Sequence, residues 1–246
     1  MGKHYALSDL HGCYDFLQAI QNYITDKDCV YFLGDAADRG SQGWECIKSI
    51  LKDDRFYYLC GNHEDMLRKA MIEYYDDDLD TSSINLLFHN GGGKTYENWV
   101  EEGAAHKYIT KLDKLPLNHT YKSLNGQTIL LSHAGYTPHG NLRHYPMRKS
   151  LLWSREHFHD RWWVDSWVYV VHGHTPTPHL AVDIGDATYD LENGALHYCD
   201  GQKICIDTGL VWTGKCVLFD LDTFDSIMFS RDKDGKIISE IRRFEE

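Results

Sequence analysis

Residues 29–40 read CVYFLGDAADRG, an apolar run that passes directly into a loop carrying two carboxylates and a guanidinium between two glycines. The β-branched and aromatic residues of the run predict a buried strand. The side chains of Asp35, Asp38 and Arg39 do not suit a core, so the strand is predicted to end at a functional loop. An internal Asp–Arg pair in a solvated loop is the alternative. Asp35 could bridge two cations, and the planar fork of Arg39 suits phosphate oxygens.

Short apolar runs alternate with helical patterns on both sides of this segment. Runs at residues 4–8 and 55–60 predict two more strands, and amphipathic stretches at 14–24, 43–51 and 64–75 predict helices. A βαβαβα order favours a parallel or mixed sheet with helices on its faces.

The remainder of the chain changes character twice. Residues 76–115 show no strand pattern and predict a helical cap or insertion, and strand patterns return from about residue 117. Asn-Gly and Asp-Gly pairs at 125/126, 193/194, 200/201 and 234/235 predict hairpin turns and an antiparallel-rich second half. The predicted fold is therefore α/β (α+β), with two stacked mixed β-sheets flanked by helices, in a single domain over residues 1–246.

The composition restricts the class of partner. With 25 Lys+Arg against 37 Asp+Glu in 246 residues, the net charge of −12 argues against nucleic-acid binding through the phosphate backbone. The sequence shows no signal-peptide pattern and no apolar run of about 18 residues. Seven cysteines without a C-x-x-C spacing predict reduced thiols. We therefore expect a cytoplasmic protein that does not associate with membranes.

Four further apolar runs end, like the first, at residues that can bind metal ions. The residues at these ends are Asp9 and His11, then Asn62 and His63, then His133, then His172 and His174. Each motif has a structural alternative: D-x-H-G fits a plain turn, Asn62 could cap a helix, and an isolated histidine is usually structural. Their conjunction favours one site, because ligands gather at the carboxyl ends of strands in sheet-based α/β folds.

The donor set indicates the kind of ion. Carboxylates, imidazoles and one carboxamide, without thiolates, suit two borderline-to-hard ions such as Mn²⁺, Fe or Zn²⁺ better than a structural zinc. Of these, Mn²⁺ is our first expectation.

The ordered motifs D-x-H-G, G-D-x-x-D-R-G, G-N-H-E, H-A-G and G-H-T resemble those of the calcineurin-like metallophosphoesterases of the phosphoprotein phosphatase family. The similarity covers residues 5 to about 218 and is closest to compact bacterial and phage Ser/Thr protein phosphatases. The resemblance implies one ion on Asp9, His11 and Asp35. It implies a second ion on Asp35, Asn62, His133 and His174.

The same resemblance implies roles around the ions. His63 matches the family's general acid, held by Asp38. Arg39 and Arg155, together with Asn62, match its phosphate-binding residues. Ala36-Ala37 and His133-Ala134-Gly135 depart mildly from the family pattern without removing a ligand, and the S-A-P-N-Y-C segment of eukaryotic members is absent from the sequence.

The expected activity is hydrolysis of phosphate monoesters by a water activated between two ions, with a phosphorylated protein or a small phosphoester as substrate. Phosphoserine and phosphothreonine in proteins are our first expectation. The alternative is a symmetrical dinucleoside tetraphosphatase, whose motifs usually show Asp after G-N-H where Glu64 stands here. A catalytically silent binding module predicts the loss of a ligand or of Arg39, and none is missing.

Four other features are interpreted as structural. The segment Gly91-Gly92-Gly93-Lys94-Thr95 resembles the end of a P-loop but lacks the leading glycine and a preceding strand, and it predicts a turn. The segment 232–235 predicts a hairpin turn rather than a calcium loop. The tryptophans at 153, 162, 163 and 167 are predicted to lie in the core, and His172 behind His174.

Overall fold

The computed structural model describes residues 2–76, 81–136, 147–159 and 168–244. Within these ranges the strands are β1 (His4–Leu7), β2 (Cys29–Phe32), β3 (Phe56–Tyr58), β4 (Asn118–Lys122), β5 (Thr128–Ser132), β6 (Val168–His172), β7 (Leu196–Tyr198), β8 (Lys203–Cys205), β9 (Lys215–Asp220), β10 (Ser226–Arg231) and β11 (Ile237–Arg242). One sheet has the order β11-β10-β9-β1-β2-β3 and the other β4-β5-β6-β8-β7.

Helices connect and cover these strands. In the described ranges they are α1 (Tyr14–Tyr23), α2 (Gly43–Ile50), α3 (Asn62–Glu73), α4 (Ser82–His89), α5 (Gly93–Glu101), α6 (Lys107–Asp113), α7 (Met147–Trp153), α8 (Thr177–Ile184) and α9 (Leu210–Thr213). Each of these helices is too short or too polar to cross a bilayer.

Side chains of β1 alternate between two apolar layers, as the two-residue period of a strand requires. Tyr5 and Leu7 pack in the layer beneath the helices, where Phe16 and Leu17 of α1 are buried. Ala6, between them, joins the layer in which both sheets meet. The predicted architecture of two stacked mixed sheets flanked by helices is confirmed.

The second half of the chain is rich in antiparallel pairs, as predicted: β4–β5, β7–β8, β9–β10 and β10–β11 are antiparallel. Strands β5, β6 and β8 run parallel to one another, because α7 and α8 lie on the connections between them. The Asn-Gly or Asp-Gly pairs at 125/126, 200/201 and 234/235 do join antiparallel strands. The prediction for 193/194 was wrong: this pair ends a short 3₁₀ turn, Leu191–Asn193, and does not connect two strands.

The predicted helical region contains α4, α5 and α6, and residues 77–80 lie outside the described ranges. Its buried side chains Leu87, Trp99 and Leu112 belong to the same apolar cluster as Leu7 of β1 and Leu210 of α9. This continuity supports our proposal of a single domain. Of the four tryptophans predicted as core, only Trp153 falls within the described residues, and it is 36% exposed, so that prediction was wrong for this residue.

The topology places the predicted site. Strands β1, β2 and β3 are parallel neighbours in the first sheet, and β5 and β6 are parallel neighbours in the second. The motif residues follow the carboxyl ends of these five strands, where ligands collect in such folds.

Candidate metal centre

The backbone bends sharply at the strand ends that carry the motifs. Ten non-glycine residues of the described chain have positive φ, and six of them belong to these motifs: Asp9, His11, Asp35, Asp38, Arg39 and His174. Left-handed conformations cost energy for residues with a Cβ and persist only where the surrounding structure holds them. Their concentration here shows that the loops are shaped to aim particular side chains.

One group of possible ligands forms around β1 and β2. The Nδ1 of His11 donates to the carbonyl of Ala37 at 2.9 Å, which leaves Nε2 to face the site. That nitrogen lies 3.8 Å from Asp9 Oδ1 and 3.8 Å from Asp35 Oδ2. His63 joins the group, with ligand atoms of His11, Asp35 and His63 all within 4.8 Å of one another.

A second group shares the same carboxylate. Ligand atoms of Asp35, His133 and His174 also lie within 4.8 Å of one another. The Nδ1 of His133 donates to the Leu33 carbonyl at 2.9 Å, and its Nε2 lies 3.4 Å from Asp35 Oδ2. Asp35 therefore stands between two sets of imidazoles, the position required of a carboxylate that bridges two ions.

Asn62 turns its carbonyl oxygen into the second group. Its Oδ1 lies 2.8 Å from His133 Nε2 and 3.0 Å from His174 Nδ1. In neutral His133 the Nε2 lone pair faces this oxygen, and two facing acceptors are what a cation between them would satisfy. The alternative interpretation of Asn62 as a helix cap was wrong: Gly61 occupies the cap position, and Asn62 is the first residue of α3.

The electrostatics of the cluster also fit cations. Burial raises the pKa of Asp35 well above its usual range, and the charges of Asp9 and Glu64 contribute smaller increases. Burial lowers the pKa values of His11 and His174 well below their usual range, so both rings are neutral, which is the metal-binding form. Asp9 Oδ1 is buried and has no hydrogen-bond partner among the described residues. The residues present therefore fit a pair of divalent ions.

His63 and Asp38 form a buried pair beside the first group. The Nδ1 of His63 lies 2.7 Å from Asp38 Oδ2. Burial raises the pKa of Asp38 to about 7, and burial followed by the Arg39 charge lowers the pKa of His63 well below its usual range. Burial and the Arg39 charge thus oppose the imidazolium form of His63, whose Nδ1 is fixed by the Asp38 carboxyl group.

The two arginines predicted to bind phosphate are placed differently. Arg39 points into the site, with Nη1 at 2.7 Å from His11 Nε2 and Nη2 at 3.3 Å from His63 Nε2. Arg155 is held at the second group, where its Nε donates to Thr175 Oγ1 at 3.1 Å and its charge acts on His174. The two guanidinium groups therefore approach the centre from opposite ligand groups.

His172 takes no part in either group, as the sequence analysis expected. Its Nδ1 lies 3.0 Å from the carbonyl oxygen of Gly173, and its Nε2 lies 2.8 Å from the hydroxyl of Tyr198. Both ring nitrogens are already engaged.

Glu64 organises the centre in a way that the sequence reasoning missed. Its buried carboxylate accepts hydrogen bonds from the backbone N–H groups of Asp35 (2.7 Å), Ala36 (2.9 Å) and Gly61 (2.8 Å). The Tyr58 hydroxyl supplies a fourth donor at 2.9 Å. The bond to Gly61 belongs to a capping-box spacing that is visible in the sequence, whereas the bonds to residues 35 and 36 have no local signal.

The segment Gly91-Gly92-Gly93-Lys94-Thr95 is a second feature that was missed. The Gly91 carbonyl accepts from the Arg39 N–H at 2.9 Å, and Thr95 Oγ1 accepts from the Asp38 N–H at 3.1 Å. The prediction of a turn was wrong for Gly93, Lys94 and Thr95, which begin helix α5, and it did not indicate these contacts. The start of α5 therefore braces the loop that carries Asp38 and Arg39.

Comparison with known proteins agrees with this geometry. A symmetrical bis(5'-nucleosyl)-tetraphosphatase of Actinobacillus pleuropneumoniae serotype 3 (strain JL03) is 27% identical over 143 residues, which are 56% of this chain and 47% of that protein. The chain thus spans about half the length of this curated relative.

Two solved structures share the fold at low sequence identity. One is the cold-active protein-tyrosine phosphatase of a psychrophile, Shewanella sp., with a TM-score of 0.51 and 18% identity over 97% of this chain and 80% of that one. The other is a protein serine/threonine phosphatase from Saccharomyces cerevisiae with similarity to human phosphatase PP5. Its TM-score is 0.50, at 16% identity over all of this chain and 81% of that one.

The family assignment rests on a broader match than these pairwise similarities. Residues 3–206 match the family model of the calcineurin-like phosphoesterases. This range includes the carboxyl ends of the five strands that carry the motif residues. With its two sheets and its shared aspartate between two histidine groups, the chain belongs to the calcineurin-like phosphoesterase family.

Proposed function

We propose that this chain hydrolyses phosphate monoesters on serine and threonine side chains of proteins, using two divalent metal ions. The observation that carries the proposal is the position of Asp35, whose carboxylate is shared by the two groups that could each hold an ion. Asp9 and His11 complete the first site in this proposal, and Asn62, His133 and His174 complete the second. Mn²⁺ is the ion we propose, with Fe and Zn²⁺ as alternatives.

When bound, such a pair of ions supplies Lewis-acid polarisation of the phosphoryl group and a nucleophile at neutral pH. The residues of the chain bind and orient the substrate and supply the proton. Arg39 and Arg155 bind the non-bridging phosphate oxygens from two sides and offset their charge, which fixes the phosphate for in-line attack. Arg155 is held by its bond to Thr175, whereas the Arg39 guanidinium must move away from His11 Nε2 when an ion binds that nitrogen.

The departing alkoxide needs a proton, and His63 is the donor in this proposal. Its Nε2 faces the site while Nδ1 is fixed by Asp38 at 2.7 Å. The carboxylate orients the ring and stabilises its protonated form in a buried setting. Because His63 and Asp38 are both fully buried, bulk water is excluded from this pair.

A second candidate, symmetrical hydrolysis of dinucleoside tetraphosphates, is favoured by the name of the curated relative at 27% identity. The complete Asp38-Arg39-Gly40 segment and Glu64 favour protein substrates instead. The two candidates share the ion pair and the arginines and differ in the group that leaves.

A parallel assay separates these candidates. With Mn²⁺ present, the protein is given a serine phosphopeptide, p-nitrophenyl phosphate and diadenosine tetraphosphate, and kcat/KM is measured for each. We expect the phosphopeptide to be hydrolysed at least as efficiently as the nucleotide. A preference of more than about a hundredfold for the nucleotide would establish the second candidate. No hydrolysis of any of the three would favour a silent binding module.

The His63→Asn variant sharpens this assay. Loss of a general acid costs about 10²- to 10⁴-fold when the leaving group needs a proton, as a serine alkoxide does. Nitrophenolate is stable without that proton, so p-nitrophenyl phosphate hydrolysis should fall markedly less than phosphopeptide hydrolysis in the variant. An equal fall for both substrates would contradict the role of His63 as proton donor.

A further inference from the structure

An exposed tryptophan lies directly beside the phosphate-binding arginine. Trp212, on α9, has its ring centroid 5.6 Å from the guanidinium carbon of Arg39. The residue is 60% exposed, although a tryptophan side chain gains more than most from burial. Its large accessible surface is therefore placed at the edge of the candidate metal centre.

The turn that carries Trp212 is held in place. The Thr213 hydroxyl donates to the carbonyls of Thr208 at 3.0 Å and Gly209 at 3.1 Å, which ties the end of α9 to its start. Gly209 has a φ of 71°, and a Cβ there would approach the Trp212 ring to 3.2 Å. On another side of the indole, the centroid of the His179 ring lies 6.0 Å from that of the Trp212 ring. The indole is thus supported at its base while much of its surface stays open.

We propose that Trp212 forms an aromatic subsite that stacks on a planar ring in the leaving group of the substrate. The inference rests on the proposed phosphoester hydrolysis and adds ring-bearing esters to the serine and threonine esters proposed above. A phosphate bound by Arg39 brings its ester substituent close to the indole, because the guanidinium and the ring are already in cation–π range. Both an aryl phosphate, such as phosphotyrosine, and a nucleoside phosphate carry a suitable ring.

The alternative role for Trp212 is to orient Arg39 alone, and this role makes a different prediction. An arginine that binds the phosphate acts on every substrate, so loss of its support would lower kcat/KM by a similar factor for all of them. A stacking subsite acts only on substrates that carry a ring. The ratio between ring-bearing and alkyl substrates is therefore the quantity to measure.

The test uses the Mn²⁺-loaded protein and two peptides of the same sequence, one with phosphotyrosine and one with phosphoserine. We expect Trp212→Ala to lower kcat/KM about tenfold for the tyrosine peptide, mainly through KM, and less than about twofold for the serine peptide. Trp212→Phe keeps a ring and should retain most of the preference. Val211→Ala on the same turn is the matched control and should change neither value.

Diadenosine tetraphosphate, as a third substrate, tests whether the ring that stacks on Trp212 is a nucleobase. A loss with this substrate and not with the tyrosine peptide assigns the subsite to a nucleobase, and the converse result assigns it to an aryl ester. Equal losses for serine peptide, tyrosine peptide and nucleotide would overturn the proposal and leave Trp212 as a support for Arg39.

Binding of phosphonates keeps the inference testable if the proposed hydrolysis fails. Calorimetry compares phenylphosphonate with methylphosphonate, neither of which needs to be hydrolysed. We expect the phenyl compound to bind about tenfold more tightly to the unmodified protein, and Trp212→Ala to remove that difference. Equal affinities in the unmodified protein would overturn the inference independently of any assay of activity.

Discussion

The candidate metal centre can be compared with a second cluster of buried histidines that lies next to it. This rear cluster consists of His157, His172, Tyr198 and Lys203, all of them buried. His172 is only two residues from His174. The rear cluster has two imidazoles, whereas the metal centre has four, those of His11, His63, His133 and His174. The two clusters also differ in what faces the rings.

In the metal centre, a carbonyl or carboxylate group binds one ring nitrogen of His11, His63 and His133. The second nitrogen of each ring is directed at Asp35. In the rear cluster, both nitrogens of His172 are engaged by neutral groups, and the Lys203 amine binds the His157 carbonyl. Burial lowers the pKa of His172 to about 4, and the Lys203 charge contributes a smaller part of this decrease. A resident cation among the rings repels a metal ion, whereas crowded carboxylates attract one. The charge of the groups next to the rings therefore distinguishes the two clusters.

The largest expected effect comes from removing the shared carboxylate. Asp35→Asn should lower kcat for p-nitrophenyl phosphate on the order of a thousandfold or more, because both ions lose a ligand. Bound metal, measured by mass spectrometry after dialysis, should fall from about two ions per chain. The melting temperature of the metal-free variant should be equal or higher, because burial and the Asp9 charge already disfavour the ionised carboxylate.

His172→Gln is the corresponding change in the rear cluster. It should leave the metal content unchanged and reduce kcat less than about tenfold, the lower end of the range for residues that support a metal ligand indirectly. If His172→Gln released metal as Asp35→Asn does, the two clusters would form one site and the comparison would fail. Full activity of the unmodified protein after chelation would contradict the metal mechanism itself.

A smaller effect is expected at the side chain that supports the metal centre from behind. Glu64→Gln replaces one carboxylate oxygen with an NH₂ group that faces backbone N–H donors. We expect the free energy of unfolding to fall by about 3 kcal/mol, since buried donors lose their acceptor. The activity should fall about 10- to 100-fold, as for other groups that position metal ligands. Chemical denaturation and kcat/KM for p-nitrophenyl phosphate measure the two effects.

Glu73→Gln is the matched control on the same helix. Glu73 accepts hydrogen bonds from the backbone N–H groups of Ser83 and Ile84, outside the metal centre. Its replacement should lower stability by a smaller amount and leave kcat/KM unchanged. Equal losses of activity in both variants would show that helix α3 as a whole, rather than Glu64, positions the centre.

The sequence alone predicted the parts of this comparison that depend on local pattern. Apolar runs that end at Asp9, Asp35 and His133 identify strand ends, and the alternation with helices predicts that parallel strands gather those ends at one edge. The two stacked sheets and the family were predicted from the same signals. The order of the motifs also separated His174, as a predicted ligand, from its neighbour His172.

The parts that could not be predicted depend on contacts between distant residues. Thr95 and Asp38 are 57 positions apart, and nothing in the spacing of either segment indicates that they bond. The partners of Glu64 at residues 35 and 36 are 29 and 28 positions away in sequence. The pair 193/194 was taken for a hairpin because its composition suits one, although a helix and not a strand precedes it. Composition predicts a turn but not the elements on either side of it.

The smallest expected effect tests whether the rear cluster is purely structural. Tyr198→Phe removes the hydroxyl that lies 2.8 Å from His172 Nε2 and leaves that nitrogen buried without its partner. The free energy of unfolding should fall by about 1–3 kcal/mol, while metal content and kcat/KM stay within about twofold of the unmodified protein. Tyr57→Phe, at a position 40% exposed, is the control and should change neither. A tenfold loss of activity in Tyr198→Phe at unchanged metal content would show that the rear cluster positions His174 through His172, which lies two residues before it.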